Sequence, residues 1–323
     1  MNVWSKGLVA ALMGMAQVMI GLFAWSTWTR QARNLSAPTL ALFLAFSVQS
    51  FANGDLPTPT PILREIGGRP LRLAFDDEFD RLDLRRGDQG VWSTSYGYGG
   101  INDFTLTDNQ ERQLYVDPQF TGSGRRALQL QPFTVRGGVL DITARRVPPQ
   151  LQAVMWGYRY YSGLLTTRRS FSQQYGYFEM RARLPATGGA WPAFWLLRPD
   201  GQWPPEIDAF EYLGRDPTVF YAGFHTTASG YVDTPVTQRT PIPGPLGQFH
   251  TYGVLWDRDH IVWYLDHVEV RRISTPSDMH TPMYVLMNLA IGGGGWAGTP
   301  NFFTQFPIHM SVDYVRVYQF APH

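Results

Sequence analysis

The sequence predicts an all-β fold, a large antiparallel β-sandwich, preceded by a hydrophobic export or anchor segment. Three observations lead there. From Leu63 onward, short alternating or aromatic runs recur between turn residues about every ten positions, and helical periodicity is hard to find. The 323 residues are 44% hydrophobic with 32 Gly and 24 Pro, enough apolar material for a large core and enough turn residues to cut it into strands. Two long uncharged, mostly apolar stretches precede residue 55, one almost directly after the other.

The first of these stretches runs from Gly7 to Thr29, long enough for a membrane-spanning helix. The second follows Arg30 and Arg33, has an apolar centre from Leu40 to Val48 and ends in Ser50-Phe51-Ala52, with small residues at the two positions a signal peptidase reads. Three readings of residues 1–54 stand: a signal peptide cleaved near Ala52, a retained membrane anchor, or a buried soluble helix pair. In the first two, Arg30 and Arg33 stay on the cytoplasmic side and everything after Asp55 is carried across, giving a periplasmic or extracellular protein that touches the membrane only through this segment. Residues 55–62 form a linker, because Pro57, Pro59 and Pro61 at alternate positions allow neither helix nor paired strand. Residues 63–323 are read as one domain.

Within that domain the runs "LRLAFDDEF", "GVLDITARRV", "YGYFEMRARL", "AWPAFWLLR", "EIDAFEYL", "HTYGVLWD", "HIVWYLD", "HVEVRRI", "PMYVLMNLAI" and "MSVDYVRVYQF" read as strands of a sandwich or barrel. Asp257-Arg258-Asp259 and Asp266-His267 are natural turns, so Thr251 to Ile273 reads as a meander.

A net charge of +1 excludes a polybasic partner surface across the chain as a whole, so no nucleic acid is expected and a neutral substrate fits best. With no cysteine, thiolate metal sites and cysteine nucleophiles are excluded. The 11 Trp and 16 Tyr supply faces suited to pyranose rings, although many must fill the core.

The chemistry concentrates in "WPPEIDAFEYLG", where Glu206, Asp208 and Glu211 interrupt an apolar strand. Strand alternation puts Glu206 and Asp208 on one face. Glu211, five positions from Glu206, faces the other way unless an extra residue intervenes, and a β-bulge at Ala209-Phe210 would return it. Without a bulge the two glutamate Cα atoms would be roughly 16 Å apart. A retaining glycosidase needs its two carboxyl groups about 5–5.5 Å apart, within reach of a bulged, curved strand. One carboxylate must be ionised to attack while the other holds a proton, and Asp208 between them separates their pKa values. A solvated strand edge, or a divalent cation held by three acids, are the alternatives.

The words around this cluster resemble glycoside hydrolase family 16, the β-jelly-roll, concanavalin A-like endoglucanases. "EIDAFE" resembles the bulged Glu-x-Asp-x-x-Glu signature, which would make Glu206 the nucleophile, Asp208 its assistant and Glu211 the acid/base. "GAWPAFWLL" resembles the strand beside the catalytic one, and "FHTYGVLWDRDHIVWYLD", "MNLAIGGGGWAG" and "VDYVRVY" resemble later landmarks in order. The resemblance implies sugar platforms at Trp191 and Trp195, which share a strand face, with Trp203 and Trp296 behind them. It further implies a cleft arginine at Arg168, sugar hydrogen bonds from Asn109 and Glu111, and at His225 a donor to an acceptor sugar or to Glu211. A structural Ca2+ on the convex side, held by two carbonyls and one carboxylate, would fall to Glu78, Gly138 and Asp313, with Gly137 where the family often has Asp. No cofactor is implied for catalysis. The dinucleotide-like Gly293-x-Gly295-x-x-Gly298 is set aside, since Pro300 and Pro307 preclude the helix it requires.

The expectation is therefore an exported, monomeric, endo-acting β-glucan or exopolysaccharide hydrolase working with retention. Its rivals are a non-catalytic carbohydrate-binding protein of the same fold and a transglycosylase.

Overall fold

The computed structural model describes residues 60–228 and 234–322. The export or anchor segment and most of the proline linker lie outside these residues. Why the described chain forms strands is visible in its alternation. In the run Ala190–Leu197, Ala190, Phe194 and Leu196 face the main core, while Trp191, Ala193, Trp195 and Leu197 face the opposite side. In Tyr284–Ile291, Val285, Met287, Leu289 and Ile291 point in, and Tyr284, Leu286 and Ala290 point out. Both runs look continuously apolar because loops cover their outer face as well.

In chain order the strands are β1 (Glu65–Ile66), β2 (Arg69–Asp77), β3 (Gln113–Tyr115), β4 (Phe133–Arg136), β5 (Val139–Arg146) and β6 (Tyr160–Ser162). Next come β7 (Leu164–Thr166), β8 (Gly176–Arg183), β9 (Ala190–Leu197), β10 (Glu206–Glu211), β11 (Val219–Thr226) and β12 (Thr234–Pro241). The last are β13 (Phe249–Trp256), β14 (His260–Leu265), β15 (Val268–Ser274), β16 (Tyr284–Ile291) and β17 (Ile308–Phe320).

They form two sheets. The smaller runs β12-β11-β10-β9-β16-β7, and the larger β15-β14-β13-β8-β17-β5-β6-β3, with β2 also on β17 and β4 on β5. Among the described strands the pairings are antiparallel except β3 with β6, which is parallel, a departure from the wholly antiparallel expectation. The sheets face each other across one core holding Phe194, Ile207 and Phe210 from the smaller and Ile142, Phe178 and Trp263 from the larger. Each such fully buried side chain contributes ~1.5–3 kcal/mol.

The expected meander is β13, β14 and β15. Asp257 Oδ1 accepts from the backbone N–H groups of Asp259 and His260, both at 2.7 Å, and closes the first turn. Asp266 and His267 sit at φ 50° and 64°, the left-handed pair that a two-residue hairpin turn requires.

Candidate active site

β10 lies between β9 and β11 in the smaller sheet. Its register slips at one place: on β9, Asp208 faces Trp195 and Phe210 faces Phe194, leaving Ala209 without a partner. This is the expected bulge. It sends both Ala209 and Phe210 into the core and returns Glu211 to the face that carries Glu206 and Asp208. The kink draws the Asp208 carbonyl toward the opposite sheet, where the buried Trp263 indole donates to it at 2.7 Å.

The three acids line the floor of a cleft of about 800 Å3 on the outer face of the smaller sheet. Trp203 donates its indole N–H to Glu206 Oε2 at 2.7 Å, and Trp191 and Trp296 donate theirs to Glu211 Oε1 at 2.9 and 3.3 Å. Asp208 is buried and hydrogen-bonded to Glu206; burial first, then the Glu206 charge, hold its carboxyl well above the ordinary range. Loss of water in the cleft, then the charge at Asp208, push Glu211 up to about 8, against the two indole donors. Glu211 therefore holds a proton at neutral pH.

His225 sits opposite Glu206 in the β10–β11 register, its Nε2 4.0 Å from Glu206 Oε1. It thus stands beside the first glutamate, and its charge also acts on Glu211, favouring the ionised form. One atom each from Glu206, Asp208 and His225 lie within 4.8 Å of one another, a spacing that would also admit a metal ion.

Among the other expected residues, Trp191, Trp195, Trp203, Trp296, Asn109, Glu111 and His225 all border the cleft. Trp195 is nearly buried, so it forms floor rather than projecting platform. Glu111 is 6% exposed, and its carboxylate accepts from Leu106 N, Gln113 Nε2, Tyr115 OH and Thr105 Oγ1 at 2.8–3.3 Å. Those bonds fix the loop forming one cleft wall, and burial pushes the Glu111 carboxyl up to about 7. Arg168 stands behind Tyr96 and Gly97 and does not border the cleft. Its guanidinium donates to the carbonyls of Tyr96, at 2.6 Å, and Gly97, and lies 5.3 Å from the Tyr98 ring centre.

Sequence reasoning missed Tyr98, Gln110 and Asn288. Asn288 accepts from Trp195 Nε1 at 2.8 Å and donates to Tyr115 OH at 2.9 Å, linking the floor to Glu111. Its signal was a lone amide inside the apolar run "LMNLAI". Gly292, Gly293 and Gly294 of "IGGGGWAG" serve close approach: a Cβ on Gly293 would stand 2.4 Å from the Gln110 carbonyl oxygen, where the two wall loops meet.

At the positions expected to hold Ca2+ the two carbonyl residues meet, but the one carboxylate is already paired. An ideal Cβ on Gly138 is 3.7 Å from the Glu78 carbonyl oxygen, so those two positions converge. However, Asp313 Oδ2 already accepts from Arg181 Nη1 at 2.6 Å, and burial raises its pKa. The Glu78 carboxylate is held by Arg316 at 2.7 and 2.9 Å. Ca2+ takes six to eight oxygen ligands, and here a guanidinium group holds the one carboxylate expected among them.

A sequence profile described as Glycosyl hydrolases family 16 matches residues 97–316. The endo-1,3-1,4-beta-glycanase ExsH of Rhizobium meliloti (strain 1021) is 44% identical over 77% of this chain and 52% of its own length. A second glycanase of that strain, EglC, is 46% identical over the same shares. The chain therefore spans about half the length of these curated relatives. The beta-glucanase of Rhodothermus marinus is 34% identical over 75% of this chain and 89% of its own length. Among solved structures, the catalytic domain of an endo-1,3-beta-glucanase (laminarinase) from Thermotoga petrophila RKU-1 superposes with a TM-score of 0.63 at 30% identity, over 79% of this chain and all of that one.

Proposed function

The chain belongs to glycosyl hydrolase family 16, and from that premise we propose that it is an endo-acting hydrolase of β-glucosidic bonds working with retention. The observation that carries the proposal is that three acids of unequal proton affinity share one cleft face: Glu211 is pushed up to about 8, and Asp208, beside Glu206, is raised by burial and by the Glu206 charge. Glu211 gives its proton to the glycosidic oxygen as a Glu206 oxygen attacks the anomeric carbon and the leaving sugar departs. Glu211, now a carboxylate, takes a proton from water as that water attacks the same carbon and releases Glu206. Asp208 shares its proton with Glu206 throughout and steadies the departing carboxylate. Both reacting groups come from the chain, so the chemistry needs no cofactor.

The names of the relatives support β-1,3- and mixed β-1,3-1,4-linked glucans as substrates. Bacterial exopolysaccharide with such linkages is the natural extension. We further propose that residues 1–54 direct export, with or without retention as an anchor, and that residues 63–323 act as a monomer.

Glu206→Gln tests this reading on laminarin and mixed-linkage glucan. Reducing-end release should vanish while the thermal transition is kept, and the first wild-type product should carry the β-anomer by NMR. Undiminished release, or an α-anomer, overturns it. Lengthened products at high acceptor concentration would instead mark a transglycosylase.

A further inference from the structure

Charge is unevenly spread along a chain whose total is near zero. Between Pro118 and Gln173 stand eight arginines and one acid, Asp141, whereas the remaining residues carry acids in excess. Five of these arginines lie on three neighbouring strands and their loops. Strands β5, β6 and β3 lie side by side at one end of the larger sheet; the loop with Arg125 and Arg126 follows β3, and the loop ending at Arg159 joins β5 to β6. Arg145 and Arg146 close β5 opposite Tyr161 and Tyr160. The two loops are fastened together: Ser123 N donates to Val154 O at 2.9 Å, and a Cβ on Gly122 would stand 2.1 Å from that oxygen.

Arg125, Arg126, Arg136, Arg145 and Arg159 are exposed, and among the described residues none of them is in an ion pair. Their charge reaches His309, whose pKa is lowered by burial and, against Asp141, by Arg145, Arg136 and Arg183. Beside them an indole is held out to solvent. Trp156 is 44% exposed with φ 51°, a backbone region such a side chain rarely enters. It is stacked on Phe104 at 6.3 Å and edge-on to Phe120 at 6.0 Å. Phe104 and Phe120 also line a hollow of about 240 Å3 containing Asp117, Gln119 and Thr121. Phe104 shares its loop with Leu106 and Asn109, which line the cleft on the other side.

We propose that this surface is a second, non-catalytic site for an anionic polysaccharide, its carboxylates held by Arg125, Arg126, Arg145 and Arg159 and a pyranose ring resting on Trp156. Guanidinium forks suit carboxylates, and an indole beside a hollow lined by polar side chains suits a sugar ring between them. A polymer crossing the 101–111 loop would engage this surface and the cleft together, raising its effective concentration at the cleft. A nucleic acid duplex or an anionic bilayer offers the charge without a pyranose face for Trp156. The inference rests on the β-glucan reading only for the polymer backbone.

The test uses the full-length protein carrying Glu206→Gln, so that bound polymer is not cut. The probes are a β-1,3-glucan whose primary hydroxyls have been oxidised to carboxylates, its unmodified parent, duplex DNA, and vesicles of anionic phospholipid. The oxidised polymer should bind more tightly than its parent. Its Kd should weaken about tenfold or more in the Arg125→Ser, Arg126→Ser, Arg159→Ser variant and in 0.5 M salt, and several-fold in Trp156→Ala. Wild-type Glu206 enzymes carrying the same surface changes should hydrolyse a short neutral oligosaccharide as before. Equal binding of both polymers, no loss in either variant, or equal retention of DNA or vesicles overturns the proposal. Failure of the active enzymes to cut the neutral oligosaccharide overturns the hydrolase reading separately.

Discussion

Glu206 faces His225 and Glu211 faces Tyr221, so five residue steps on β10 are matched by four on β11. That single extra residue is what lets two glutamates of opposite strand parity share a cleft. Deleting Ala209 restores strict alternation and leaves Glu211 on the cleft face, whereas inserting one alanine after it sends Glu211 toward the core. Reducing-end assays should find the insertion ~10²–10⁴-fold less active, and the deletion far less impaired. Equal loss in both variants, with both folded, contradicts the account.

Glu211 must carry its proton to act, so kcat/KM should fall as pH rises through about 8. The Trp191 N–H bond to Glu211 favours the ionised form. Trp191→Phe should therefore move the alkaline limb to higher pH and slow turnover. A limb that stays or moves down in a pH–rate profile would show that Glu211 is not the group titrating.

Glu111 has an ordinary value of 4.5 and is raised to about 7 in the fold. A raised carboxyl contributes stability that is complete below the unfolded value and is lost as pH climbs through the folded one. The melting temperature of the wild type relative to Glu111→Gln should accordingly fall between about pH 5 and about pH 8. A constant difference across that window would contradict the assignment.

Arg181 on Asp313 stands where a cation was expected. EDTA should leave the melting temperature unchanged, while Arg181→Ser should cost about 1–3 kcal/mol by leaving a half-buried carboxylate without its donor. A large EDTA effect in the wild type would restore calcium to the site.

The acid triplet, its bulge and the β13–β15 meander were legible because each depends on local alternation and turn chemistry. Strands β11 and β12 were not. "VFYAGFHT" and "TPVTQRTP" carry Gly and Pro and owe their pairing to β10, a contact between separate segments. The roles of Glu111 and Arg168 were hidden for the same reason. Whether a carboxylate meets sugar or backbone N–H depends on where the 104–111 loop lies, and that is set by Tyr115, Asn288 and Trp195 from three strands. The Trp203 and Trp296 indoles were expected as platforms, yet each also donates to a catalytic-strand glutamate, a pairing no spacing in the sequence expresses.

The central claim is that Glu206 becomes covalently linked to sugar. It is tested most directly by incubating the enzyme with a 2-deoxy-2-fluoro β-glucan oligosaccharide bearing an activated leaving group, then reading the intact mass and the labelled peptide. One glycosyl adduct on Glu206, absent from Glu206→Gln, is the predicted result. An adduct on another residue, or full turnover with no adduct and an inverted product, would contradict it.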